Sequence, residues 1–310
     1  MEDKLQPSLP HISVMEEEMT QFFSTKPISV FVDATLGAGG HAKRILETHP
    51  EITKLIGVDQ DPEALALAAK VLEPWKEKVC LVHANFVELD RVLQQEGVTQ
   101  VDGCFFDLGV SSMQLDTARR GFSFLQEGPL DMRMNPLQEL DAKEVVNTWS
   151  ERELGELFRD YGEDPRWKAA AKIIVQERRK GVITTTKQLA DLLATGLRTK
   201  IRGKLHPATL VFQALRLFVN KELSVLESAL KKMIAHLAPQ GIVGVISFHS
   251  LEDRIVKHIF REASAKVKER GHTILPILQL LTKKPVVPSW KEVRSNPRAR
   301  SAKLRFAQRN

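Results

Sequence analysis

Only two cysteines occur in the 310 residues, Cys80 and Cys104, and both lie inside apolar runs. Two thiols buried as core filler make neither a disulfide framework nor a zinc set nor a nucleophile, and they suit a reducing cytoplasm. No uninterrupted apolar stretch approaches the length needed to cross a bilayer, so no membrane partner is expected. Glu2, Asp3 and Lys4 have no apolar core behind them, which predicts no signal peptide. Internal repeats and low-complexity tracts are absent. Ser247-Phe-His249-Ser-Leu-Glu252-Asp253 brings ligand-type residues together, but its spacing fits no standard zinc set, and no metal is expected.

Charge is present in unequal halves. Residues 1–110 hold 9 Lys+Arg against 18 Asp+Glu, and the remaining 200 hold 36 against 21. An acidic first third and a basic remainder suggest an anionic macromolecule as partner, nucleic acid first. Scattered solvated side chains are the plain alternative. Clustering argues against it: Arg178-Arg179-Lys180, then Arg198, Lys200, Arg202, Lys204 and His206, then Arg294, Arg298, Arg300, Lys303, Arg305 and Arg309.

The most informative stretch is Val30-Phe-Val-Asp33-Ala-Thr-Leu-Gly37-Ala-Gly39-Gly40-His41, followed by Gly57-Val58-Asp59. An apolar strand enters a glycine-rich turn, a helix opens, and a second strand ends in a carboxylate about 20 residues on, the layout of a nucleotide-cofactor half of a doubly wound sheet. Asp59 suits the two hydroxyls of a ribose. Gly37-x-Gly39-x-x-Ala42 formally fits a dinucleotide fingerprint, so NAD has to be weighed. Asp33 would repel a pyrophosphate but suits the ammonium or sulfonium of S-adenosylmethionine. His83-Ala-Asn85-Phe86, after the third apolar run, offers polar groups and a flat face to an adenine. These residues favour the methyl donor over NAD.

Four strands are expected in the first 110 residues, the fourth being Val101 to Asp107, with helices between them. Ligands of open α/β sheets gather at the carboxyl ends of the strands, so Asp33, Asp59, Phe86 and Asp107 should face one crevice. Residues 115–136 read as a shaped loop, and short amphipathic helices follow to about Leu197. Strand grammar returns with Ile242 to Ile246 after a Pro239-Gln-Gly241 turn, and Ser301 to Phe306 reads as an edge strand. The expected fold is α/β: a Rossmann-like doubly wound core formed by 1–114 and 211–310, with a small helical domain inserted at 115–210.

Several phrases occur in a fixed order: His11-Ile-Ser-Val-Met-Glu-Glu-Glu, Asp33 to His41, Asp59-Gln-Asp-Pro62, Asp107-Leu-Gly-Val-Ser-Ser112, Arg120-Gly-Phe-Ser-Phe124, Gly128-Pro-Leu-Asp-Met-Arg-Met134, His206-Pro-Ala-Thr209, Phe212-Gln-Ala-Leu-Arg216, Ser247 to Arg254 and Asn296 to Arg305. Over nearly its whole length the chain resembles the bacterial small-subunit (16S) ribosomal RNA cytosine-N4 methyltransferases, the RsmH/MraW family. The resemblance implies a class I methyltransferase core and S-adenosylmethionine as methyl donor. It implies a substrate cytosine in small-subunit rRNA near the decoding centre. It carries cofactor contacts over to Gly39, Gly40 and His41, Asp59, Phe86, Asp107 and Gln114. Met113 departs from the family, which usually has proline before that glutamine.

A cytosine amino group is a weak nucleophile because its lone pair is delocalised, so acceptors must draw that pair out and positioning must aim it. Asp107 or a neighbouring carbonyl is the expected acceptor, in a turn that lacks the prolines and aromatic common in amino-methyltransferases. The stacking ring is expected from Phe122, Phe124 or Phe248, and His249 is an option for taking the proton after transfer. Asp131 and Arg133 either form a substrate loop or a buried pair fixing that loop. Lys283, Lys284 and the basic residues from Arg294 through Arg298 and Arg300 to Arg305 are expected on phosphates. A DNA amino-methyltransferase and a non-catalytic rRNA-binding assembly factor remain the alternatives, and the oligomeric state, a homodimer included, stays open.

Overall fold

The computed structural model describes residues 13–197, 206–269 and 272–310. Glu2, Asp3, Lys4 and His11, and the basic residues Arg198, Lys200, Arg202 and Lys204, lie outside the described residues. The chain divides into two units: one runs up to Gly109 and resumes at Leu223, the other spans Val110–Glu222.

The first unit begins with α1 (Glu16–Phe23). Strands and helices then alternate: β1 (Val30–Asp33), α2 (Gly40–Thr48), β2 (Lys54–Asp59), α3 (Pro62–Val71), β3 (Val79–His83), α4 (Leu89–Gln95) and β4 (Val101–Asp107). The second unit holds α5 (Ser112–Asp116), α6 (Ala142–Thr148), α7 (Glu151–Asp160), α8 (Trp167–Glu177), α9 (Thr186–Gly196) and α10 (Thr209–Val219). The chain then continues through α11 (Glu222–His236), β5 (Leu237–Ser247), α12 (Ser250–Ala263), β6 (Val267–Glu269), β7 (His272–Ile274), β8 (Leu278–Leu280), α13 (Trp290–Ser295) and β9 (Lys303–Arg309). Local chemistry sets many starts. Pro62 takes the first turn of α3 behind an Asp61 cap, and Ser150 and Thr185 cap α7 and α9.

Seven strands form one sheet in the order β3-β2-β1-β4-β5-β9-β8, and β6 pairs with β7. The five strands from β3 to β5 run parallel, whereas β9 runs antiparallel to both its neighbours. The chain winds outward from β1 to β3 and returns to β4 on the other side of β1. The switch point therefore lies between β1 and β4, where doubly wound sheets bind ligands. This is a Rossmann-like doubly wound sheet with one antiparallel strand, β9, between β5 and β8.

The strands are apolar on both faces because helices cover both. Val32, Ile56, Cys104, Phe106, Val243 and Val245 pack with Val92, Leu230, Met233 and Phe260. Their sequence neighbours Phe31, Leu55, Phe105, Ile242 and Ile246 pack on the opposite face with Phe23, Ile45 and Phe306. The two cysteines are inert: burial pushes Cys80 up to about 11 and Cys104 well above the usual thiol range. The second unit has its own core, including Leu154, Phe158, Ile174, Leu193 and Leu215.

Three expectations change. β9 is not an edge strand, because the three-residue β8 pairs with it, Leu278 opposite Arg309. Pro239-Gln-Gly241 does not end β5, which runs through it. Gln240 takes a positive φ of 64° there, and the register against β4 shifts between Val101 and Gly103, an irregularity of bulge type. The return to the first unit falls at 223 rather than 211, because α10 buries Val211, Phe212, Ala214 and Leu215 in the second unit's core. Among the described residues no helix is long and apolar enough to cross a membrane.

Gly244 tests the packing around β9. A Cβ there would sit 2.2 Å from Cε1 of Phe306, whose ring is fully buried. Gly244→Ala should destabilise the protein by about 1–3 kcal/mol through overpacking, read as a lower thermal midpoint. Gly181→Ala, in open space, should leave the midpoint alone.

Candidate active site

Backbone geometry builds the site first. Beyond Asp33 the chain turns into α2 with Gly37 and Gly39 at φ 53° and 84°. Three bonds fix this turn: Leu36 N donates to the Val58 carbonyl at 3.0 Å, Gly39 N to the Leu36 carbonyl at 2.8 Å, and Gly37 N to Asp59 Oδ2 at 2.7 Å. Asp59 Oδ1 accepts from Asp61 N at 2.9 Å. Each carboxylate oxygen has a further lone-pair direction, so Asp59 can hold the turn and still accept two hydroxyls. The turn is also tied to β4, where Asp107 N donates to Thr35 Oγ1 at 2.6 Å. Gly39 caps α2 without a side-chain bond, leaving first-turn N–H groups of Gly40 and His41 without intrahelical partners.

Three carboxylates stand at the ends of β1, β2 and β4. Asp33 is 1% exposed, and burial pushes its carboxyl up to about 7. His41 and the Thr35 N–H pull it down, while Asp107 and Asp59 add to the rise. Burial likewise raises Asp59 to about 6, against the bonds from Asp61 and Gly37. Burial, then the charge of Glu252, raises Asp107 to about 7. Asp107 Oδ1 is sealed from solvent with no hydrogen-bond partner, although its side chain as a whole is 25% exposed. Asp33, on the middle strand of the three, feels the charges of both Asp107 and Asp59.

His41 braces this crevice with its side chain. Its Nε2 lies 2.9 Å from the Val14 carbonyl, which can only accept, so the proton sits on Nε2. Nδ1 faces Asp107 Oδ2 at 3.6 Å, and the ring is edge-on to Phe105. Phe86 is half-buried and edge-on to Phe106, with ring centroids 5.8 Å apart. Asn85 accepts from Val87 N and donates to Gln60 Oε1, so its amide is largely used in shaping the Phe86 turn.

Across the crevice, β5 leads to Phe248 and His249. Phe248 is half-buried, and its Cδ2 lies 3.5 Å from where a Cβ on Gly109 would be, two residues past Asp107. Glu252 is 2% exposed, and its Oε2 accepts from Phe248 N at 2.8 Å and His249 N at 3.3 Å. His249 is the N-cap of α12, its Nδ1 accepting from Glu252 N and its Nε2 3.0 Å from Glu252 Oε1. Its Nδ1 is thereby committed to the cap, while Nε2 is buried without a hydrogen-bond partner.

The remaining expected residues divide between the units. In the second unit Phe122 is 7% exposed in the core beneath the Arg120 guanidinium, and Phe124 packs against the rings of His206 and Phe212. Both rings pack in the core of the second unit, Phe124 being half-buried. Arg133 donates two side-chain bonds to Asp131 and a third to the Gln138 carbonyl. It fixes its loop, the structural option of the two. Gln114 is 5% exposed, and its Oε1 accepts from Ser111 N in a capping box at α5. In the first unit Arg298 and Arg300 are exposed on the turn Pro297–Ser301. Arg305, by contrast, is buried against Asp253 at 2.6 Å and is withdrawn from phosphate.

Thr35 and Glu252 are the residues sequence reasoning missed. Thr35 was visible only as a member of the glycine motif. Glu252 carried a usable signal, an acid three residues after a cap position. Among the described residues no group of three or more His, Cys, Asp or Glu is arranged to hold a metal ion.

Known proteins match this chain closely. Residues 8–310 match the MraW methylase family. The chain belongs to that family. Ribosomal RNA small subunit methyltransferase H of Protochlamydia amoebophila is 50% identical over 310 residues, covering 98% of each chain. The protein of that name from Chlamydia pneumoniae is 46% identical over 95% of this chain and 96% of its own. The one from Syntrophotalea carbinolica is 45% identical over 96% and 98%. For a member of a methylase family, a pocket of desolvated carboxylates fits a cationic methyl donor, and an orphaned carboxylate oxygen fits an incoming donor group.

The carboxylates predict a pH dependence of stability. A carboxyl raised in the folded state to about 7 (Asp33, Asp107) or about 6 (Asp59) binds its proton more tightly folded than unfolded. Its contribution is complete below the unfolded value near 4 and is lost as pH rises through the folded value. The thermal midpoint of the ligand-free protein should therefore fall between pH 5 and 8 from this source, and Asp33→Asn should flatten the fall. A wild-type midpoint rising over that range with no change in Asp33→Asn would contradict the assignment.

Proposed function

We propose that this protein transfers the methyl group of S-adenosylmethionine to the exocyclic N4 of a cytosine in small-subunit (16S) ribosomal RNA near the decoding centre, in the cytoplasm. The observation carrying this reading is the cluster Asp33, Asp59 and Asp107 at adjoining strand ends, desolvated and, among the described residues, paired with no lysine or arginine, in a chain of a methylase family. The names of its relatives, all small-subunit rRNA methyltransferases, support the substrate.

The bound donor supplies an electrophilic methyl on a positively charged sulfur. Asp33 faces the positive methionine end, and the bare backbone of Gly37, Gly39 and Gly40 leaves room beside it. Asp59 accepts the ribose hydroxyls, and Phe86 bounds the adenine. On the substrate side the carboxylate of Asp107, whose side chain is 25% exposed, accepts from the cytosine amino group, turning its lone pair toward the methyl. Phe248, held by Glu252 through its backbone N–H, stacks the base. The second unit serves substrate recognition. Once methylated, the amino group loses its proton readily, so Asp107 or water suffices to take it.

Asp107 gives a direct test. Asp107→Asn should lower transfer to small subunits on the order of 10²-fold, in the range of a lost acid–base or positioning group, with the product mapped by mass spectrometry. Near-normal turnover with unchanged donor affinity would remove Asp107 from the mechanism. Wild-type kcat/KM should climb as pH rises through about 7, because only the ionised Asp107 accepts from both amino hydrogens. The kcat profile should lie at lower pH, since a bound cation favours the carboxylate. Asp59→Ala should instead act through donor affinity, weakening it about tenfold or more for two lost hydroxyl bonds, as measured by calorimetry with S-adenosylhomocysteine.

A further inference from the structure

The last thirty residues carry a surface of unusual composition. Residues 281–310 contain nine Lys or Arg and a single acid, Glu292. Lys283, Lys284, Lys291, Arg294 and Arg300 are exposed and make no ion pair with any described residue. Among these cations Trp290 is 76% exposed at the first position of α13, and Val287 is 60% exposed just before it. A large indole is normally buried over most of its surface, so one left in water beside cations calls for a partner. Trp290 and Arg294 are four residues apart on one helix and share a face.

The one acid turns inward. Glu292 Oε1 accepts from Met15 N at 2.7 Å. The adjoining Val14 carbonyl meets His41 Nε2 at 2.9 Å, and His41 Nδ1 faces Asp107 at 3.6 Å. This chain of contacts ties α13 to the rim of the crevice. The side of α13 bearing Glu292 is thus used in docking, and the indole and its cations stay outside.

We propose that this strip is a track for single-stranded RNA, on which Trp290 stacks a base flanking the target nucleotide while Lys291, Arg294 and Arg300 hold phosphates. The proposal rests on the rRNA-methylation reading above and adds a second contact to it. A flat ring among cations is the recurring pattern of single-strand binding, where stacking supplies affinity without demanding sequence. A protein interface would be depleted of lysine at its centre, which does not describe this strip.

The test compares wild type, Trp290→Ala, Trp290→Phe and the double variant Lys291→Ala/Arg294→Ala. Each is titrated against a mixed-sequence single-stranded RNA carrying 2-aminopurine, against duplex RNA of equal length, and in transfer assays on unmethylated small subunits. Affinity for S-adenosylhomocysteine should be equal in all four. Trp290→Ala should bind the single strand about ten- to a hundredfold more weakly and lose aminopurine quenching, whereas Trp290→Phe should retain most of both. The double variant should flatten the log–log salt slope by about 1.4 for two lost phosphate contacts. Equal loss on duplex and single strand, or unchanged RNA binding by Trp290→Ala while wild type transfers methyl, would overturn stacking. Reduced transfer to assembled subunits with unchanged RNA binding would also overturn it and assign Trp290 to a ribosomal protein. Failure of wild type itself to bind RNA and to methylate subunits would instead sink the functional reading beneath the proposal.

Discussion

Three carboxylates held out of water at the ends of neighbouring parallel strands are the constraint around which the first unit is organised. Desolvation is the largest cause of the rise at each one, ahead of any neighbouring charge. Such a cluster disfavours its own ionisation, and a fold keeps it only where rigid packing leaves no alternative. Here the rigidity comes from the strands. Asp33 lies opposite Gly57 and Phe105, and Asp107 opposite Ile246, in registers fixed by apolar residues on both faces. Relaxing one carboxylate into water would mean shifting a strand whose next residue is core. A cationic ligand removes the cost without moving anything, which is how the sheet's geometry becomes binding selectivity.

Asp59 illustrates how few residues carry both tasks. It holds the glycine turn through Gly37 N and the start of α3 through Asp61 N, and the proposed function adds the ribose hydroxyls to these. Asp107 divides its duties differently. Its backbone is tied to Thr35, while its Oδ1 has no partner. Glu252 acts at one remove, binding the backbone of the Phe248 turn and raising Asp107 through its charge. On the proposed reading, Thr35, Asp59 and Glu252 position by bonding backbone, and the chemistry falls to Asp107.

The legible part of this architecture was the part written in local pattern. β4 stands at Val101–Asp107 as read, because a run of apolar residues bounded by acids has one plausible strand register. β8 was invisible, since three residues carry no periodicity, and without it β9 reads as an edge. The glycine motif announced its turn because Gly37 and Gly39 occupy backbone regions that other residues avoid. Long-range partners were not legible. Nothing near Arg305 in sequence says that Asp253, fifty-two positions away, withdraws it from the basic strip. Equally, an Arg-Gly-Phe-Ser-Phe phrase does not reveal that Phe122 and Phe124 pack against the core of their own unit.

The charge asymmetry of the chain follows from combining a cationic donor with an anionic substrate. Acids that favour the donor repel phosphate, so a crevice fit for one disfavours the other at close range. Screening limits this conflict to about 8 Å at physiological ionic strength. A substrate strand need only be held by cations beyond that distance and present a base, which carries no phosphate charge, to the acidic interior. On the proposed reading the base meets Asp107 and Phe248, one acceptor and one ring, and the α13 segment with its cations is joined to them by the contacts from Asp107 through His41 and Val14 to Glu292. Extrusion of the base is then an electrostatic requirement as well as a steric one: a nucleotide entering with its phosphate first would meet three carboxylates, and a bare pyrimidine meets only an acceptor for its amino group.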